Sequence, residues 1–343
     1  MFLRNQWYAA AEAGELGAGP VGRILLNEPI VMYRTPDGRA VAMEDRCCHR
    51  RAPLSKGKVE GANLRCGYHG FLYGPDGKVV WVPGQDKVPP GAAVKTYPLI
   101  EKYGLVWIWM GEAARRDETL IPDEFKWNVA PGWVSTGARL PVAANHMLLV
   151  DNLMDLSHVP FLHAATIGSA NDTDPDLTWE RDPNWVQGTR IGRNLIPTAR
   201  ARALGVNSNM DVTKVMKFTP ASNVSIEITQ IETGLKPGET PRWCFHSFIL
   251  NAMTPETERS CHYFWRSTRD YDVAREETTA LIFKSTTVAF DEDKHMLEAE
   301  QRIIDLNPAA TQIDVMGDIG GLQARRIVDR LMMEEHGARQ AAE

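Results

Sequence analysis

Two cysteine–histidine pairs constrain this chain more than any other feature. Cys47-Cys48-His49 and Cys66-Gly67-Tyr68-His69 form a Cys-x-His and a Cys-x2-His, separated by sixteen residues. With nine histidines among 343 residues, two of them fall at prescribed offsets from cysteines by accident only about once in 1,500 trials. Both pairs sit at strand ends or in tight loops, so the fold has to bring two short loops together around a shared metal.

Four ligands of this composition admit tetrahedral zinc or a [2Fe–2S] cluster in which two cysteines hold one iron and two histidines the other. Zinc fingers usually pair Cys with Cys and His with His. Here each loop supplies one of each, which suits two loops gripping a two-iron rhomb from opposite sides. Replacing two thiolates by neutral imidazoles makes such a cluster easier to reduce than an all-cysteine one, the property of an electron relay. Cys48 adds a further thiol, readable as a small buried filler or as a redox-active neighbour.

The surrounding chain reads as β structure. Ile30–Tyr33, Ala40–Met43, Phe71–Tyr73 and Lys78–Trp81 are short β-like runs punctuated by Pro36-Asp37-Gly38 and Gly74-Pro75-Asp76-Gly77, a rhythm of hairpins with glycine at the positive-φ position. Leu105–Met110 predicts a buried strand that ends at Gly111. Composition changes there to a charged, Ala-rich stretch, and the expected domains are 1–112 and 113–343. A length of 343 residues agrees with two domains. The second half predicts helix near His146–His163, strand at Val224–Ile228, two helices after Arg275 and a frayed tail after Glu334.

A net charge of −6 and 24% charged residues argue against nucleic acid or a membrane surface as partner. The five cysteines suit reduced thiols or metal ligands better than bridges. No signal-like N-terminus or long apolar run is present, so the expected location is the cytoplasm.

A second constellation lies at Asn152-Leu153-Met154-Asp155-Leu156-Ser157-His158-Val159-Pro160-Phe161-Leu162-His163. Residues 152, 155 and 158 drift across one helix face and can look into one cavity. His163 is about 140° away from His158 in a regular helix, so one metal can take both only if the helix is distorted between them. Pro160 is the expected cause. Two histidines need a carboxylate to hold Fe(II) as a facial triad with open positions, and Phe290–Glu298 offers Asp291, Glu292 and Asp293.

The motifs Cys47–Leu54 and Cys66–Gly70 resemble those of Rieske ring-hydroxylating and O-demethylating oxygenases, although that family commonly has proline at the Cys48 position. The resemblance to vanillate and dicamba O-demethylase oxygenases extends over Asn5–Tyr8, Tyr103–Trp109, Leu149–Leu156, Thr254–Thr257 and Cys261–Trp265. It implies an α+β protein with an N-terminal β-rich Rieske [2Fe–2S] domain and a C-terminal helix-grip catalytic domain. It further implies Cys47, His49, Cys66 and His69 as cluster ligands, and His158, His163 and Asp293 as ligands of a mononuclear Fe(II). Asn152 and Asp155 would be catalytic, Asp155 as a bridge from His158 to His69 of a neighbouring subunit.

The partners so implied are a flavin/ferredoxin-type reductase supplying electrons from NAD(P)H, O2, a small aromatic substrate and two further copies in a homotrimer. The expected reaction is O-demethylation of a methoxylated aromatic acid or phenol. N-demethylation, methyl hydroxylation and ring hydroxylation are alternatives on the same fold, and a Rieske electron carrier is the alternative outside it. Dicamba-type enzymes place a histidine for the substrate carboxylate just before Thr-Pro-Glu-Thr, where this chain has Asn251-Ala252-Met253. Ser225, His246, Asn251 and Trp265 are the pocket candidates by position.

Overall fold

The structure is a computed structural model that describes residues 1–17, 19–236 and 238–340. Met1–Ile121 with Thr254–Thr257 form one compact unit, and Pro122–Met253 with the chain from Glu258 onward form a second.

The first unit is built from three small sheets. Trp7–Glu12, Leu105–Trp109 and Leu99–Lys102 make one; Val21–Leu25, Glu28–Arg34, Ala40–Glu44 and Thr96–Tyr97 a second; Lys58–Glu60, Asn63–Arg65, Leu72–Tyr73 and Val79–Trp81 a third. Leu105–Trp109 is buried at every residue because it is the middle strand of its sheet. Gly77 shows why its turn needs glycine. Its φ is 79°, and a Cβ there would lie 2.4 Å from the Val94 carbonyl oxygen. Cys47 and Cys66 lie in one apolar cluster with Val31, Tyr33, Leu54, Leu64 and Tyr73.

The second unit is built on a seven-stranded sheet in the order Val134–Val142, Ser260–Arg269, Cys244–Thr257 (its last four residues counted with the first unit), Asn223–Glu232, Met210–Thr219, Trp185–Leu195, Asp176–Asp182. Burial alternates along Trp185–Leu195, as expected of a strand with one covered face. The helices are α1 (His146–Met154), α2 (Val159–Leu162), α3 (Ala199–Ala203), α4 (Glu276–Leu306) and α5 (Ile319–Gln340). The buried residues of α4, among them Ile282, Thr286, Phe290, Asp293 and Leu297, recur every three or four positions and define its inward face. Leu149, Val150, Met154, Phe218, Trp265, Phe290 and Leu297 share one core.

Two expectations need correction. The helix near His146–His163 does not break at Pro160. It breaks at Asp155, whose extended φ −117° and ψ 101° end α1 and start a 3-10 turn over Leu156–His158. Pro160 instead stands in the first turn of α2, where a missing N–H leaves no hydrogen bond unmade. The last helix also does not fray after Glu334 but continues to Gln340; residues 341–343 lie outside those described.

Candidate metal centres

The two Cys-His pairs lie on loops with the same backbone wiring. Cys47 N–H donates to the Ala52 carbonyl and Arg51 N–H returns to the Cys47 carbonyl, at 2.8 and 2.9 Å. Cys66 N–H donates to the Phe71 carbonyl and Gly70 N–H returns to the Cys66 carbonyl, at 2.8 and 3.1 Å. Both loops carry a left-handed residue at the same place, Arg51 with φ 59° and Gly70 with φ 75°. Two matched loops of this kind present their side chains as a pair.

Cys47 and Cys66 are each 2% exposed and unbridged, whereas His49 and His69 are exposed with ring centroids 4.7 Å apart. His49 stacks on Phe71 at 4.8 Å. The donor set therefore has a buried sulfur side and a solvent-facing imidazole side. Burial pushes the Cys66 thiol up, and the neighbouring Cys47 thiol adds to the rise; the thiolate pair that a cluster requires needs the positive charge of iron beside it. The residues present fit a mixed Cys/His [2Fe–2S] cluster in that respect. Tyr73 Oη lies 3.1 Å from Cys47 Sγ and 3.2 Å from Cys48 Sγ, and accepts from the Cys48 N–H at 2.9 Å. Its one proton serves one sulfur at a time.

In the second unit His158, His163 and Asp293 come together, each with one ligand atom within 4.8 Å of the others. The 3-10 turn before His158 and the end of α2 at His163 bring their rings to 5.2 Å. His158 Nδ1 donates to the Asp155 carbonyl at 2.8 Å, and His163 Nδ1 to a Glu292 carboxylate oxygen at 2.7 Å. Both Nε2 atoms are thereby turned toward Asp293 Oδ1, at 3.5 and 3.1 Å. Asn152 Nδ2 donates to the same oxygen at 3.0 Å.

Burial lowers His158, offset in part by Asp293. For His163 burial also acts downward, but Asp293 and Glu292 outweigh it and the net shift is upward. A proton on Nε2 there is the simplest answer to a carboxylate facing an imidazole, and a divalent cation can replace it. Two imidazoles, from the 3-10 turn and the end of α2, and one carboxylate from α4 are of the types that could hold a mononuclear Fe(II) with open positions.

Helix phase separates the three acids. Asp293 faces inward at 6% exposure, Glu292 reaches His163, and Asp291 is half-buried without either contact. Asp155 does not line the cavity beside this triad. Its carboxylate caps the 3-10 turn, accepting from Ser157 N at 2.9 Å and Ser157 Oγ at 2.8 Å.

That cavity, of about 100 Å³, is lined by His158, His163 and Asp293 together with Leu153, Ile226, Ile228, Ile249 and Phe290. None of Ser225, His246, Asn251 and Trp265 is among its lining residues. Asn251 is fully buried and its side chain is already used, with Nδ2 donating to the Val224 carbonyl and Oδ1 accepting from Tyr263. His246 is taken up by Glu227 and Asp270. Glu292 was legible only as an alternative third ligand, not as the partner of His163 Nδ1, and Tyr73 and the polar residues lining the cavity, such as Arg200 and Thr286, were not legible as site residues, because each depends on a neighbour distant in sequence.

Residues 6–98 match the Rieske [2Fe-2S] domain and residues 142–334 the vanillate O-demethylase oxygenase C-terminal domain. The chain belongs to the Rieske non-haem iron oxygenases. The oxygenase is 34% identical to a vanillate O-demethylase oxygenase subunit of Pseudomonas sp., over 100% of this chain and 98% of that one. It is 36% identical to a putative toluene-4-sulfonate monooxygenase iron-sulfur subunit of Comamonas testosteroni, over 98% and 99% of the two chains. Its fold matches crystalline dicamba monooxygenase bound to 3,6-dichlorosalicylic acid with a TM-score of 0.90, at 31% identity, covering 98% of this chain and 99% of that one. It is a terminal oxygenase component, an oxidoreductase of the Rieske monooxygenase type with an N-terminal Rieske domain and a C-terminal catalytic domain. As the oxygenase component of a multicomponent system it works with a reductase on an aromatic compound.

Proposed function

We propose that this oxygenase demethylates a single-ring methoxylated aromatic acid or phenol, with electrons passed from NAD(P)H by a flavin/ferredoxin-type reductase. The observation that carries the proposal is the apolar cavity lying directly against His158, His163 and Asp293. Its size is of the order of cavities that admit a benzene-sized guest. Relatives named for O-demethylation of vanillate and dicamba support the same chemistry.

In this reading Cys47 and Cys66 hold one iron of the cluster and His49 and His69 the other, within 1–112, while His158, His163 and Asp293 hold Fe(II) within 113–343. When bound, the cluster carries single electrons and the Fe(II) activates O2 for insertion into a C–H bond. The chain's own residues do the positioning. Asn152 fixes the Asp293 carboxylate, Glu292 and the Asp155 carbonyl fix the two imidazoles, and Ile226, Ile228, Ile249 and Phe290 hold the ring and keep out water. Oxidation of the methoxy carbon gives a hemiacetal that collapses to a phenol and formaldehyde.

A homotrimer completes the proposal. The exposed His49–His69 edge leaves those imidazoles open to another copy, and Asp155 of one chain facing His69 of the next gives the electron a hydrogen-bonded route. Five unbridged cysteines support a cytoplasmic location. Among the described residues no helix is long and apolar enough to cross a membrane.

A panel of methoxylated benzoates and phenols, supplied with a surrogate reductase, NAD(P)H and O2, tests the proposal. The expected result is formaldehyde and demethylated phenol in equal amounts, with three irons per chain. Ring-hydroxylated product without formaldehyde, or two irons per chain and no turnover, would overturn it. The toluene-4-sulfonate relative favours one second reading, hydroxylation of an aryl methyl group, which would give a benzylic alcohol instead.

A further inference from the structure

The lining of the active-site cavity includes a cation with no counter-ion among the described residues. Arg200, on α3, lines it together with Thr198, Lys214, Gln230 and Thr286. Arg200 Nε donates to Ser285 Oγ at 2.7 Å and Nη2 to Thr286 Oγ1 at 2.8 Å. Both acceptors are neutral hydroxyls, and among the described residues no carboxylate pairs with this guanidinium. The two bonds use one edge of the group. Both Nη1 protons and the second Nη2 proton remain on its end, the fork that takes a carboxylate or sulfonate through two parallel bonds.

The neighbouring charges do not supply the missing anion. Lys214 Nζ lies 3.1 Å from Asp172 Oδ2, but Arg190 Nη2 already takes Asp172 Oδ1 at 3.0 Å, so one carboxylate serves two cations. Asp172 does not itself line the cavity, and the one carboxylate among the lining residues is Asp293, committed to the two imidazoles. Burial pulls the Arg200 guanidinium down to about 10, which leaves it charged at neutral pH. A charge held in an apolar pocket against hydroxyls alone is costly unless a ligand completes it.

Helix α4 sets the span. Thr286, which holds Arg200, and Asp293, in the metal triad, both face inward and are seven residues apart, about 10 Å along the axis and nearly in phase. The apolar lining shared with these two residues comes from Ile226 and Ile228, which alternate onto one face of their strand, with Ile249 paired to Ile226. A benzene ring with an acidic group at one end and an oxidisable methyl or methoxy group at the other bridges that distance once contact distances are added.

We propose that Arg200 anchors the anionic group of the substrate, so that this oxygenase selects single-ring aromatic carboxylates or sulfonates over neutral aromatics. The anchor rests on the reading of the cavity as the oxidation site and narrows its substrate class to the acids. It would supply the contact that a histidine before Thr254 makes in dicamba-type enzymes, a position occupied here by the fully committed Asn251 and by Ala252 and Met253.

The test is equilibrium binding to the anaerobic, fully loaded holoenzyme, with 3-methoxybenzoate, toluene-4-sulfonate and neutral 3-methoxybenzyl alcohol as probes. At least one of the two anions is expected to bind about tenfold or more tightly than the alcohol, and the better one identifies carboxylate or sulfonate as the preferred group. Arg200→Gln should bring the anions to the level of the alcohol without changing the alcohol, and Arg200→Lys should recover part of the difference. Cluster absorbance and iron content establish that each variant is intact, and Arg200→Lys carries the comparison if Arg200→Gln fails to fold.

Equal loss for all three probes would mean that Arg200 only ties α3 to α4, and an unchanged preference would remove it from the site; either overturns the anchor. So would a preference abolished by Lys214→Met but not by Arg200→Gln. Formaldehyde analysis separates this from the demethylase reading. Arg200-dependent anion binding without formaldehyde keeps the anchor and ends that reading, whereas formaldehyde formed equally from acid and alcohol by wild type and Arg200→Gln does the reverse.

Discussion

Asn152 donates its side-chain amide to Asp293 Oδ1 at 3.0 Å, the same carboxylate oxygen toward which both His158 and His163 turn their Nε2 atoms. The amide comes from α1 and the carboxylate from α4, so one hydrogen bond ties the two helices at the candidate metal centre. Asn152→Ala frees the carboxylate to rotate. The expected outcome is a fall of about 10- to 100-fold in affinity for mononuclear iron, with the cluster retained. Iron titration of the apo-mononuclear form, followed beside the cluster absorbance, measures it.

Asp293→Ala should lose mononuclear iron outright while keeping the cluster, because two imidazoles alone leave the cation's charge uncompensated. Glu292→Gln should weaken binding less, since it removes the charge behind His163 but leaves an acceptor for its Nδ1. Asp291→Ala should be close to neutral. Iron analysis of the three proteins gives the order, and strong loss on Asp291→Ala alone would move the third ligand.

Tyr73→Phe should lower the reduction potential of the cluster. Burial first, and then the adjacent thiols, push the Tyr73 phenol far up, so it remains a donor at every working pH. A hydrogen bond to a ligand sulfur favours the more negative, reduced state. Removing a bond worth about 1 kcal/mol corresponds to roughly 40 mV for one electron. Redox titration monitored by EPR reads the shift, and an unchanged or higher potential would mean that the proton points at Cys48 instead.

His146, the first residue of α1, makes stability depend on pH. Burial, reinforced by the positive charge of Arg325, pulls it down to about 3. An unfolded chain binds this proton from about pH 6.5 downward. Between those values the unfolded state therefore carries a proton that the folded state refuses, and stability falls as pH falls, by up to about 1.4 kcal/mol per unit from this residue. Urea unfolding at pH 7 and pH 5 should show a smaller drop for His146→Asn than for wild type. An equal drop would assign the loss to other groups.

The candidate ligand types and the local elements that carry them were legible along the chain. Cys47, His49, Cys66 and His69 are readable because a two-loop metal site needs fixed offsets within each loop, and offsets are a property of the chain. The strand at Leu105–Trp109 and the helix α5 are readable for the same reason, since burial on one or both faces imposes a local period. The tertiary structure decided what depends on phase and on distant partners. Asp291, Glu292 and Asp293 are equivalent as a run of acids, and only the packing of α4 against the sheet turns one inward, one onto His163 and one aside. The break in the His146–His163 segment fell at Asp155 rather than Pro160 because a capped 3-10 turn satisfies the freed backbone there, while proline is harmless in a first turn. Arg200 sits in an Ala-Arg-Ala-Arg-Ala stretch that carries no motif. Its burial against Ser285 and Thr286, some 85 residues away in sequence, is fixed by long-range packing, and a period or a motif carries no record of such a distance.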